Sequence, residues 1–166
     1  MSFCALSGYN IDRLMERPIR ILFVCAGNIC RSAMAEAFFH HLAADRPGLH
    51  HVEVASAGTI AYDGNRPLAP CVKVMRDDYG IDMSAHRARR IRAGLEAELI
   101  LTMDRQVAQQ VREIGATGDI QSIGEFVGSP GEQVEDPYGG GEDDYRGCAR
   151  QLDRLVRALC DKLESK

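Results

Sequence analysis

Apolar positions along the chain fall into alternating short runs and longer, helically spaced segments. Ile19–Val24 (IRILFV) is a brief β-branched stretch of the kind that fills a buried parallel strand. From Ser32 to Ala44, apolar residues recur at Met34, Ala35, Phe38, Phe39 and Leu42, which is helical spacing. The alternation at His51–Ala57 predicts a second strand, and a helix is expected near Cys71–Tyr79. Glu98–Thr102 (ELILT) reads as a third strand, followed by a helix from about Asp104 to Ile114, and Asp119–Ile123 reads as a fourth strand. Gly124–Glu142 is a long Gly- and Pro-containing loop, and loops of that length are usually functional or disordered. Tyr145, Cys148, Leu152, Leu155, Val156, Leu159 and Leu163 mark a final amphipathic helix.

Strands alternating with helices imply an α/β fold: a single three-layer domain whose four-stranded parallel sheet is covered by helices on both faces. In such a fold the ligand sits at the carboxyl ends of the strands. A length of 166 residues suits one domain. Residues 1–18 read as an extension, with a short helix at Ile11–Glu16, before a domain over 19–166. That extension carries Asp12, Arg13, Glu16 and Arg17 and lacks the apolar core of a secretory signal, so a cytoplasmic location is expected. No run approaches a membrane span. The formal charge of −4 argues against nucleic acid as a partner.

Chemistry concentrates where the first strand ends. The next residues are Cys25-Ala26-Gly27-Asn28-Ile29-Cys30-Arg31-Ser32, and then a helix begins. A loop of this length can curl so that successive N–H groups face one anion, with the helix dipole behind them. The expected phosphate-binding residues are therefore Ala26, Gly27, Asn28, Ile29, Cys30 and Arg31. Gly27 and Asn28 tolerate the unusual dihedrals of such a curl, and Arg31 supplies a two-pronged donor. The same positive field favours the thiolate of Cys25, a nucleophile to which Ser32 can donate a hydrogen bond. The bare Cys-x5-Arg spacing is expected by chance roughly 0.6 times in a chain of this composition. Cys148 and Arg154 are such a match, but they lie within a helix whose amides are already committed, and Cys148 reads as a core residue.

Attack on a phosphoester also requires protonation of the leaving oxygen. Asp136, held extended by Pro137 in the long loop, is the candidate acid. Asp104 is a rival whose simpler reading is a helix N-cap.

These segments resemble the low-molecular-weight protein tyrosine phosphatase family. The likeness rests on FVCAGNICRSAMAEAFF at 23–39, SAGT at 56–59, GIDMSAHRARRI at 80–91, LILTMDR at 99–105 and EDPYGG at 135–140. It implies a two-step reaction in which Cys25 becomes a cysteinyl-phosphate while Asp136 acts first as acid and then as base, with Arg31 and the loop amides holding the phosphate. It further implies that Ser32 and His86 support the loop around Asn28. Ile29, Tyr62 and Tyr138 would line the substrate cleft, and Cys30 would form a protective disulfide with the nucleophile. Ala33 and the stretch Leu68-Ala69-Pro70-Cys71 depart from the family pattern, where a proline and Pro-Asp-Pro-Arg are usual. Gly139-Gly140 resembles bacterial members, including those that dephosphorylate arginine, whereas Ile29 stands where that subgroup typically has Thr.

The expected activity is therefore hydrolysis of phosphotyrosine in a phosphorylated protein or peptide, by a monomer without cofactor. Phosphoarginine hydrolysis is the alternative. Arsenate reduction would need a further cysteine relay, and none lies between Tyr79 and Gln133. A silent phosphoprotein-binding module would not require the acid. His40-His41 and His50-His51 are adjacent pairs without a partner cluster, so no metal site is expected. The basic run His86–Arg92 reads as a solvated face with ion pairs.

Overall fold

Four strands run parallel in the order β2-β1-β3-β4 in the computed structural model, which describes residues 18–165. The short helix expected at Ile11–Glu16 lies outside those residues. β1 (Ile19–Cys25) pairs with β2 (Val52–Gly58) on one side and β3 (Glu96–Thr102) on the other, and β4 (Thr117–Ser122) closes the far edge. The register sets Cys25 opposite Gly58, Val24 opposite Thr102, and Thr102 opposite Ser122. All four carboxyl ends therefore finish at one end of the sheet. The helices are α1 (Arg31–Ala43), α2 (Ala69–Tyr79), α3 (Arg105–Ile114), α4 (Ile123–Val127) and α5 (Glu142–Glu164).

The two-residue period of β1 divides the core. Ile21, Phe23 and Cys25 join Leu99 and Leu101 against α1, α2, α4 and α5, where Phe38, Met75, Leu152 and Leu155 are fully enclosed. Phe38 meets Tyr79 edge-on at 4.8 Å, which joins α1 to the end of α2. Leu22, Val24 and Ile100 face the other way, against Val107 and Val111 of α3. Helices thus cover both faces of the sheet, as the sequence pattern implied.

One expectation changes. Gly124–Glu142 is not loop throughout, because Ile123–Val127 form α4. Ser122 Oγ accepts the Glu125 N–H at 3.1 Å, and the Glu125 carboxylate accepts the Ser122 N–H at 3.0 Å. This reciprocal capping box opens a helix too short to show periodicity. Ile123 accordingly belongs to α4 rather than to the fourth strand. α5 starts at Glu142, three residues before the expected Tyr145, with the Asp144 carboxylate accepting the Gly141 N–H at 2.8 Å. No helix among the described residues is long and apolar enough to cross a membrane.

Candidate active site

The segment between Cys25 and Arg31 is gripped from outside through its carbonyls. Thr59 and Ile60 N–H groups donate to the carbonyls of Cys25 and Ala26, both at 3.0 Å, and the Leu68 N–H donates to that of Ile29 at 2.9 Å. The Asn28 carbonyl accepts from His86 Nε2 at 2.8 Å. A carbonyl can only accept, so Nε2 carries the proton. In a trans peptide the N–H of the next residue points opposite to the carbonyl. Turning these four carbonyls outward therefore turns the amides of Ala26, Gly27, Ile29 and Cys30 inward, over Cys25. α1 begins here with Cys30 as its N-cap and no side-chain cap, so its dipole faces the same point.

Asn28 is the keystone of the curl. It is fully buried and has φ = 53°, a left-handed conformation that Asn tolerates better than most residues. Its side-chain amide donates to Ser32 Oγ and Ser56 Oγ, both at 2.8 Å, and its Oδ1 accepts the Arg89 N–H at 2.9 Å. Its own N–H donates to Cys25 Sγ at 3.3 Å, and Ser32 Oγ lies 3.0 Å from the same sulfur. Ser56 in turn donates to Glu36. Burial pushes the Glu36 pKa up, but His40 at 3.9 Å, the Ser56 hydrogen bond and the charge of His86 outweigh it and hold it below the usual range. The sequence-predicted supports Ser32 and His86 thus lie in contact with the loop. Ser56 and Glu36 join them without having been singled out, although Ser56 opens the SAGT segment.

Arg31 is almost wholly enclosed. One guanidinium nitrogen donates to Asp104 Oδ2 at 2.8 Å and to the Val134 carbonyl at 3.1 Å, and the other reaches Asp136 Oδ2 at 3.2 Å. Burial works against the charge, yet Cys25, Asp104 and Asp136 outweigh it and raise the Arg31 pKa further. Asp104 also caps α3, accepting the Val107 N–H at 2.7 Å. The N-cap reading of Asp104 therefore holds, with an ion pair added to it. Asp136 is half-exposed, and its Oδ1 accepts the Tyr138 N–H at 3.1 Å.

Cys25, Arg31 and Asp136 meet in one cleft of about 320 Å³. Ala26, Gly27, Ile29 and Cys30 line its floor, while the exposed rings of Tyr62 and Tyr138 stand at its rim. Ile60 and Leu68 add apolar walls that the residue patterns did not single out. A larger cleft of about 550 Å³ lies beside Arg20, Arg89 and Arg92, and no cysteine or histidine lines it. Cys148 is buried on the inner stripe of α5, as expected of a core residue, and His40, His41, His50 and His51 are exposed. Arg92 in the basic run pairs with Asp63.

Known proteins are similar in sequence and fold. The family model for low molecular weight phosphotyrosine protein phosphatase matches residues 20–166. The chain is 35% identical over 148 residues to the low molecular weight phosphotyrosine protein phosphatase of Schizosaccharomyces pombe, covering 83% of this chain and 92% of that one. It is 31% identical over 153 residues to a protein-arginine-phosphatase of Geobacillus stearothermophilus, covering 90% and 99% of the two chains. Its fold matches the crystal structure of a low molecular weight protein tyrosine phosphatase from T. tengcongensis with a TM-score of 0.76 at 34% identity, covering 87% of this chain and 99% of that one.

Proposed function

The chain belongs to the low molecular weight phosphotyrosine protein phosphatase family, and we propose that it hydrolyses phosphotyrosine in proteins with Cys25 as nucleophile. The observation that carries this reading is the convergence of Cys25 Sγ, the Arg31 guanidinium and the Asp136 carboxylate on one cleft. The catalytic unit is residues 19–166.

The substrate phosphate lies over Cys25, its oxygens bound by the inward amides and by Arg31, which is held in place by Asp104. The Ser32 hydroxyl and the Asn28 N–H stabilise the thiolate. The sulfur attacks phosphorus in line with the leaving oxygen, and the P–O bond breaks as Asp136 delivers its proton to that oxygen. Asp136 then takes a proton from water, the resulting oxygen attacks phosphorus, and the S–P bond breaks to return Cys25 and inorganic phosphate. Tyr62 and Tyr138 flank the entrance, and the apolar Ile29 suits a phenyl ring.

Phosphoarginine is the second reading, supported by the arginine-phosphatase relative and by Gly139-Gly140 beyond the acid. Ile29 weighs against it, because a branched alkyl group cannot accept a hydrogen bond from a guanidinium. The test compares phosphotyrosine and phosphoarginine peptides with wild type and Cys25→Ser in the presence of a chelator. Phosphotyrosine turnover that persists with chelator and vanishes in Cys25→Ser is expected. Preferential release of phosphate from arginine would replace the first reading with the second.

A further inference from the structure

The sheet face that carries α3 is covered unevenly. α3 lies against β3 and β4, whereas β1 and β2 are bordered on that side by residues 89–95. Between them runs the cleft of about 550 Å³, larger than the one of about 320 Å³ over Cys25. Its floor is apolar, built by Leu22, Ala55, Ala57 and Ala97, with Leu95 at one side. Its rim is charged. Arg89, Arg90 and Arg92 stand along the wall, while Glu53 and Glu96 stand at the amino ends of β2 and β3. Arg92 pairs with Asp63 and Arg20 with Glu98, but among the described residues Arg90, Glu53 and Glu96 form no salt bridge. An apolar trough with available charge of both signs on its rim fits an amphipathic segment.

The chain supplies such a segment at the same place. Arg20, near the start of β1, lines the cleft and stands opposite Glu53 in the register, so the residues before Pro18 are tethered at its edge. Residues 11–17 (IDRLMER) carry the complementary pattern. Ile11, Leu14 and Met15 have the i, i+3, i+4 spacing of one helix side. On that helix Asp12 and Glu16 fall on one flank of the apolar stripe, and Arg13 and Arg17 on the other. We propose that residues 11–17 pack across this cleft as a short amphipathic helix, with Ile11, Leu14 and Met15 on its apolar floor. Asp12 and Glu16 then face the arginine wall, and Arg13 and Arg17 face Glu53 and Glu96. Pro18 ends the helix and turns the chain into β1. Covalent attachment beside the cleft gives the segment a high local concentration, so a contact too weak to hold a free peptide suffices. The segment does for β1 and β2 what α3 does for β3 and β4.

The test is an NMR experiment on the full chain with isotope-labelled Ile, Leu, Met and Ala methyl groups. It reads packing and needs no turnover, so it is independent of which phosphoester the enzyme hydrolyses. Nuclear Overhauser contacts are expected from the methyls of Ile11, Leu14 and Met15 to those of Leu22, Ala55, Leu95 and Ala97. Leu14→Asp should abolish these contacts and shift the Ala55 and Leu95 resonances. In a mixture of labelled and unlabelled chains, an isotope-filtered spectrum should show no contact between chains. Cleft methyls that meet none of the three residues would overturn the proposal, as would Ala55 and Leu95 resonances unmoved by Leu14→Asp. Contacts arising only between chains would also overturn it, by making a second copy of the chain the occupant.

Discussion

Arg31 donates to Asp104 Oδ2 at 2.8 Å while Asp104 Oδ1 accepts the Val107 N–H, so one carboxylate both caps α3 and aims the guanidinium proposed to bind phosphate. The two functions can be separated. Asp104→Asn keeps an oxygen for the cap but sets an uncharged amide against Arg31. It should lower kcat/KM about tenfold and weaken inhibition by inorganic phosphate, a loss of about 1.4 kcal/mol in transition-state binding. Asp104→Ala should add about 1 kcal/mol of lost stability from the missing cap. Steady-state kinetics with urea unfolding of both variants checks this. Wild-type kinetics and wild-type unfolding in Asp104→Asn, with both disturbed in Asp104→Ala, would mean that the carboxylate acts only as a cap.

Gly58 stands opposite Cys25 in the register, and a Cβ there would meet the Ala26 carbonyl oxygen and come within 2.9 Å of the Asn28 nitrogen. Both are backbone atoms of the Cys25–Arg31 loop and cannot swing aside. Gly58→Ala should therefore displace the curl, weaken phosphate binding and lower stability by about 1–3 kcal/mol. Phosphate titration followed by NMR reads the first effect and urea unfolding the second. Normal phosphate affinity would show that the loop adapts.

Glu36 links acid stability to the same network. Its folded pKa lies below the ordinary 4.5, so the unfolded chain binds the proton more readily and stability rises with pH through this window. The contribution is complete above about pH 4.5 and is lost as pH falls through the folded value. Glu36→Gln should flatten the acid limb of a stability–pH curve while leaving its slope near neutrality unchanged. An unaltered acid limb would assign that limb to other carboxylates.

Asp136 should show its role through the leaving group. Asp136→Ala should lower kcat/KM, which reports the step that expels the leaving group, by about 10²–10⁴-fold for phenyl phosphate, and far less for p-nitrophenyl phosphate because its phenolate departs without help. Equal losses for the two substrates would remove Asp136 as the proton donor.

Much of this was legible in the chain because it is local. The loop from Cys25 to Arg31 is contiguous, and the strand before it and the helix after it announce themselves through period. The Asp104 cap was also readable. What could not be read was the pairing of Asp104 with Arg31 across 73 residues, or the contact of the Cys71 sulfur with that of Cys30 across 41. Both depend on parallel crossovers that bring strand ends and helix starts to one edge. α4 is a different case: its Ser122–Glu125 capping box was present in the sequence, but five residues give no periodicity to draw attention to it. Ser56 and Gly58 stand within the SAGT segment, yet only the β1–β2 register shows what they brace.

The covalent intermediate tests the central claim most directly. Asp136→Ala, mixed rapidly with p-nitrophenyl phosphate and quenched in acid, should lose the base needed for the second step and accumulate phosphoenzyme. Fragment mass spectrometry should then place one phosphoryl group on Cys25, and Cys25→Ser under the same conditions should release no p-nitrophenol. A phosphoryl group on another residue, or turnover by Cys25→Ser at the wild-type rate, would contradict the account.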